Sequence, residues 1–111
     1  MPRRGIRAEQ RAALWYRLRG YRILARNAWV AGYELDLVVR RGRGLVFCEV
    51  KEKGGDRFGD PLEMVDEEKQ RRLRRAADAW LERHPETNGL EVSFDVIAVR
   101  NGRLERLAEA F

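Results

Sequence analysis

Glu34-Leu35-Asp36-Leu37-Val38-Val39-Arg40-Arg41-Gly42-Arg43-Gly44-Leu45-Val46-Phe47-Cys48-Glu49-Val50-Lys51 is the stretch whose reading decides the fold. Residue types alternate with period two on either side of Gly42 and Gly44, which predicts two antiparallel strands joined by a hairpin turn. Alternation assigns Leu35, Leu37 and Val39 to one face of the first strand, and Val46, Cys48 and Val50 to an equally apolar face of the second. Pairing those faces leaves Glu34 and Asp36 on the other side with Glu49 and Lys51. If Arg41 to Gly44 form the turn, Arg40 pairs with Leu45, Asp36 stands opposite Glu49, and Glu34 stands opposite Lys51. Opposed Cβ atoms lie about 4.5–5.5 Å apart, where like charges repel. A hard dication such as Mg²⁺ or Mn²⁺ offsets that repulsion, using one or two carboxylates plus water and substrate phosphate. Lys51 follows Glu49 on the same face by roughly 6.6 Å. Its amine can deprotonate an attacking water when neutral, or as an ammonium orient that water and stabilise charge on a phosphoryl transition state. The plainer reading is a cross-strand ion pair between Glu34 and Lys51, since Glu-Val-Lys alone is a weak pattern.

Outward from this hairpin the pattern changes. Ile6, Ala12, Ala13 and Tyr16 share one helical arc and Gly20 stands where a C-cap glycine belongs, which predicts a helix over 4–19. Glu9 lies on that same arc and needs a partner if the face packs on a sheet. Tyr21 to Ala25 reads as a first strand, and 27–32 as a loop in which Trp29 covers the core edge or stacks on an unpaired base. Beyond Lys51, a charged loop over 52–59 precedes Asp60-Pro61, a helix-start signal, and Asp66 is a second N-cap candidate. Leu73, Ala76, Ala77, Trp80 and Leu81 form a one-sided stripe on a helix over 66–83 that Pro85 ends. Glu91 to Val99 and Arg103 to Leu107 are further strands around an Asn101-Gly102 turn. Cys48 reads as core, Asp95 as a strand residue paired with an arginine, and His84 as a helix-end cation.

The 111 residues are enough for one domain, over 1–111. No apolar run approaches the ~18 residues of a membrane helix, and no secretory h-region follows Met1-Pro2-Arg3-Arg4-Gly5, so a cytoplasmic protein without membrane contact is expected. A single cysteine excludes an internal disulfide and a thiolate zinc site, leaving oxygen ligands for any metal. The net charge of +5 favours a polyanionic partner. Basic residues gather between Arg3 and Arg26, at Arg40, Arg41 and Arg43, and at Lys69, Arg71, Arg72, Arg74 and Arg75, so three segments are candidates for one nucleic-acid-binding surface.

The order of motifs resembles the YraN family of small bacterial proteins, whose fold belongs to the PD-(D/E)XK, restriction-endonuclease-like superfamily and is close to Holliday-junction resolvases. The likeness runs through Gly5 and Glu9, Gly20-Tyr21-Arg22-Ile23-Leu24-Ala25-Arg26-Asn27, Glu34-Leu35-Asp36-Leu37-Val38 and Val46-Phe47-Cys48-Glu49-Val50-Lys51. It continues through Phe58-Gly59-Asp60-Pro61, Lys69-Gln70-Arg71-Arg72-Leu73 and Phe94-Asp95-Val96. It implies an α/β fold with an αβββαβ core, a mixed central sheet flanked by helices. It also implies metal-binding carboxylates at Asp36 and Glu49, a catalytic lysine at Lys51, a first-helix glutamate at Glu9, and an accessory polar residue at Gln70, beside Glu34. Two positions depart from the family pattern: Tyr33 replaces a glycine, and Glu52 replaces a small hydroxyl residue.

The expectation is therefore an endonuclease or resolvase-like hydrolase of structured DNA using Mg²⁺ or Mn²⁺, with a homodimer if two strands are cut. The competing expectation is an inactive module of the same fold that binds nucleic acid or a protein partner.

Overall fold

The computed structural model describes residues 4–53 and 65–111. The elements run α1 (Arg4–Arg17), β1 (Arg22–Val30), β2 (Tyr33–Arg41), β3 (Gly44–Lys53), α2 (Glu67–Glu82), a 3-10 turn (Pro85–Thr87), β4 (Glu91–Arg100) and β5 (Arg103–Leu107). Asp60-Pro61 and the Phe58-Gly59 part of the resemblance lie outside the described residues.

The five strands form one sheet in chain order. Neighbours are antiparallel except β3 and β4, which run parallel from Gly44↔Glu91 to Lys53↔Arg100. A parallel pair needs a crossover, and α2 supplies it. The result is the α/β, restriction-endonuclease-like core that the sequence predicts, with apolar residues filling both faces of the sheet. Ala8, Ala12, Ala13 and Tyr16 of α1 pack on Leu37, Val39, Val46, Cys48, Ile97 and Val99. Three of the four helix residues are alanines, so the helix backbone approaches the sheet closely. On the other side, Leu73, Ala76, Ala77 and Trp80 of α2 pack on Val38, Leu45, Phe47 and Phe94.

The helix ends follow from their local chemistry. After α1, Tyr21 N–H donates to Tyr16 O and Gly20 N–H to Arg17 O, with Gly20 at φ 88°, the paired bonds of a Schellman cap. At the start of α2, Asp66 Oδ1 accepts from Lys69 N–H at 2.9 Å, while Glu67 and Glu68 sit in the first turn where the helix dipole favours anions.

Two local expectations need correction. The first strand does not stop at Ala25 but runs to Val30, and the expected loop shrinks to Ala31-Gly32, both at positive φ, a geometry suited to a two-residue hairpin. Asn27, at φ 53°, is absorbed inside the strand. Trp29 therefore stands on a strand, 69% exposed, and does not cover the core edge. Leu35 also leaves its expected group: it joins the cluster under α2, whereas Leu37 and Val39 lie under α1. Asn27 takes its left-handed conformation between the pairs Arg26↔Leu37 and Ala28↔Leu35, across from the step where Leu35 and Leu37 part, while the register shift of β1 on β2 lies between Ile23 and Ala25.

Candidate metal and nucleic-acid site

Arg40 pairs with Leu45 and Leu37 with Cys48, the register that a turn over 41–44 gives, whereas the expected pairs Asp36 with Glu49 and Glu34 with Lys51 fall beyond the paired stretch. The β2–β3 ladder ends at Leu37↔Cys48. In the next step Val50 N–H donates to Asp36 Oδ2 at 2.9 Å, so a carboxylate takes over from the ladder and is pinned to the main chain of β3. Asp36 and Glu49 are both buried. Tyr33 OH donates to Glu49 Oε1 at 3.2 Å, and Lys51 Nζ lies 3.3 Å from Glu49 Oε2. These side chains, with Trp29 and Glu34, line an open groove of about 380 Å³.

The electrostatics follow from that crowding. Burial first, then the charge of Glu49, push the Asp36 carboxyl up to about 7, against the opposing pull of the Val50 N–H; Glu9 and Glu34 add smaller repulsions. Glu9 hydrogen-bonds Asn27 and is itself raised, mainly by burial. Burial and Glu49 likewise raise the Tyr33 phenol, which keeps it a hydrogen-bond donor. On α2, Lys69 lies against Lys51, whose charge is the first cause of its lowered pKa. An anion placed between two such ammonium groups relieves their repulsion.

Sequence reasoning thus places Asp36, Glu49, Lys51 and Glu34 together, with Glu9 in their electrostatic neighbourhood. Other candidates are engaged elsewhere. Gln70 donates its amide to Val65 O at 3.0 Å and supports the start of α2. Arg40 bonds Gly42 O, Arg41 bonds Arg19 O and covers the Tyr21 ring, and Arg43 bonds Gly89 O. All three stand at the far end of the hairpin; Arg41 is five residues from Asp36, roughly 16 Å of strand. Arg71 and Arg72 both pair with Glu68, at 2.8 and 3.0 Å, on the exposed face of α2, where Arg75 is also exposed. Tyr33 and Lys69 are the site contacts that strand alternation alone did not reveal. Tyr33 was legible only as a departure from a glycine, and Lys69 only as one of several basic residues.

A second cavity, of about 400 Å³, opens at the far end of the sheet beside Asp95. Asp95 is 1% exposed and satisfied there: it accepts from Tyr16 OH at 2.6 Å, Arg106 Nε at 2.9 Å and Glu109 N–H at 3.1 Å. It is the arginine-paired strand residue expected. Cys48 is core, and burial raises its thiol far from the reactive range. His84 stacks on Trp80 and bonds Trp80 O at the end of α2.

Asp36 and Glu49 fit one kind of metal. Among the described residues no three His, Cys, Asp or Glu side chains lie close enough to enclose an ion. Two carboxylates at an open groove nevertheless match the sparse protein ligation of Mg²⁺ or Mn²⁺, which keep several waters. The bonds from Tyr33 and Lys51 leave each Glu49 oxygen a further lone pair.

No helix among the described residues is long and apolar enough to cross a membrane. Among curated proteins, the chain is 45% identical to a protein of Parvibaculum lavamentivorans, over 98% of this chain and 81% of that one. It is 39% identical to one of Bartonella bacilliformis, over 97% and 87%, and 43% identical to one of Methylorubrum extorquens, over 97% and 84%. All three carry the description UPF0102 protein. The model of the uncharacterised protein family UPF0102 matches residues 8–99, a span that holds the whole Asp36, Glu49 and Lys51 hairpin, and the chain belongs to that family, the YraN family its motifs resemble.

Proposed function

We propose that the chain is a metal-dependent phosphodiester hydrolase, an endonuclease or resolvase-like enzyme acting on structured DNA in the cytoplasm. The observation that carries this reading is a buried carboxylate pair, Asp36 and Glu49, with the Lys51 ammonium 3.3 Å from Glu49 at an open groove. A strained pair of this kind is costly to fold and gains by taking up a dication. Asp36 and Glu49 would hold Mg²⁺ or Mn²⁺, which supplies Lewis-acid polarisation of the scissile phosphate. Asp36 is kept in place by the Val50 N–H. Lys51, as an ammonium beside Glu49, would orient the attacking water and neutralise charge on the phosphoryl oxygens. Lys69 adds positive charge beside it, and the exposed Arg71, Arg72 and Arg75 of α2 extend a surface for backbone phosphates. A pair of chains would serve a substrate cut on both strands.

The test is incubation of the purified chain with junction, flap and linear DNA in Mg²⁺ or Mn²⁺. Lys51→Ala should lower the cleavage rate by roughly 10²–10³, the usual loss for one preorganised electrostatic group. Equal rates in wild type and Lys51→Ala would remove this mechanism.

A second reading rests on the engagement of Glu49, whose two oxygens already have partners in Tyr33 and Lys51. It is an inactive module of the same fold that binds nucleic acid or a protein partner. Calorimetry separates the two: Mg²⁺ binding that is lost in Asp36→Asn supports the enzyme, and DNA binding without any metal affinity supports the module.

A further inference from the structure

Trp29 stands apart from the other tryptophans among the described residues. Trp80 is buried, with Phe47 edge-on at 5.7 Å and His84 stacked at 3.8 Å. Trp15 carries the Arg19 guanidinium over its ring at 3.8 Å, with Tyr16 and Arg106 also against it. Trp29 belongs to neither apolar cluster and has no ring or cation partner among the described residues, and it is 69% exposed. It is nevertheless held firmly. Its backbone pairs with Glu34 in the β1–β2 ladder, one residue before the two-residue Ala31-Gly32 turn. Trp29 lines the same groove as Asp36, Glu49 and Lys51. Asp36 is two residues beyond Glu34, roughly 6.6 Å of strand, so the ring stands within a nucleotide or two of the carboxylate pair.

A large apolar ring left bare on a rigid strand, beside lysines and a carboxylate pair, suits one ligand chemistry. The lysines attract phosphate, the ring offers a π-face, and every nucleobase has a π-face that becomes accessible only when the base leaves its duplex stack. We propose that Trp29 stacks on an unpaired base next to the bond being cut, and so selects DNA with a single-stranded segment at the groove over continuous duplex. This rests on the hydrolase reading for the words "being cut", while the stacking itself needs no metal and no chemistry.

Binding is measured in EDTA by anisotropy of labelled single-stranded, flapped and blunt-duplex oligonucleotides. Trp29→Ala should weaken binding of the single-stranded and flapped DNA by roughly 5- to 150-fold, the range that loss of one aromatic stack gives, and leave the duplex within about twofold. Trp29→Phe should restore most of the loss. Because Trp29 contributes to no core cluster, both variants should melt like wild type, and circular dichroism checks this. Unchanged single-strand affinity in folded Trp29→Ala overturns the proposal, as does an equal loss on duplex or the absence of any DNA binding by wild type. If wild type cleaves nothing yet the Trp29 contrast holds, the hydrolase reading fails and base stacking stands. If cleavage is present but indifferent to Trp29→Ala on every substrate, stacking fails alone.

Discussion

Replacing Asp36 with asparagine should make the metal-free protein more stable, although it removes a side chain at the centre of the site. The amide keeps an oxygen for the Val50 N–H at 2.9 Å and loses the charge that opposes Glu49. A carboxyl displaced from 3.8 to about 7 corresponds to about 4 kcal/mol against the ionised form at full strength. Water in the open groove and local relaxation absorb part of this, so we expect ~1–3 kcal/mol, or a rise in Tm of roughly 5–15 °C. The pH dependence carries the sign. Because burial and Glu49 raise Asp36 when the chain folds, the folded state holds the proton more tightly than the unfolded chain. The favourable contribution is complete below pH 3.8 and disappears as pH rises through about 7. Thermal melts in EDTA should therefore show a gap between Asp36→Asn and wild type that is wide at about pH 8 and narrow near pH 5. Adding Mn²⁺ at the higher pH should raise the Tm of wild type and leave the variant unmoved. A variant no more stable than wild type at the higher pH in EDTA would refute the repulsion on which the site depends.

Three further outcomes follow from individual contacts. Asp95→Ala leaves Tyr16 OH, Arg106 Nε and Glu109 N–H without their acceptor, and should cost about 3–5 kcal/mol by chemical denaturation, with the fold weakened rather than the groove altered. Tyr33→Phe removes the donor to Glu49 Oε1; Mn²⁺ affinity by calorimetry should fall about tenfold, as when an orienting partner of a metal ligand is lost, and an unchanged affinity would show the phenol to be incidental. Glu68→Gln frees Arg71 and Arg72 from their shared carboxylate, so duplex binding should tighten at low salt and its salt dependence steepen; no change in the slope would remove this face of α2 from the DNA surface.

The central hairpin was legible because two constraints agreed. Period-two patterning assigned most of the faces, Leu35 excepted, and a turn over 41–44 pairs Arg40 with Leu45, as observed, although alternation alone also allows registers two residues away. The start of α2 and the end of α1 were equally readable, since Asp66 and Gly20 act through their own local chemistry. Strand β1 looks short in the sequence because it is an edge strand with Arg26 and Asn27 exposed, so its second half lacks an apolar rhythm. The site was legible as far as it lay on one hairpin. Contacts that depend on how α2 crosses back over the sheet, such as Lys69 against Lys51, are tertiary and leave no periodic trace. The arginines at 40, 41 and 43 look like a phosphate-binding cluster in the sequence, yet each guanidinium is tied to a backbone carbonyl away from the groove.

The parallel joint between β3 and β4 bears on the order in which this chain assembles. Strands β1 to β3 meet through short turns, whereas Gly44 meets Glu91 only after α2 has formed and crossed over. Local hairpins close quickly and distant parallel pairs close late. On that order Asp36 and Glu49 would first approach each other in open water, where their mutual repulsion is weak. If α2 and β4 dock last, their docking should desolvate the pair, and a dication present in a refolding experiment should then speed that step.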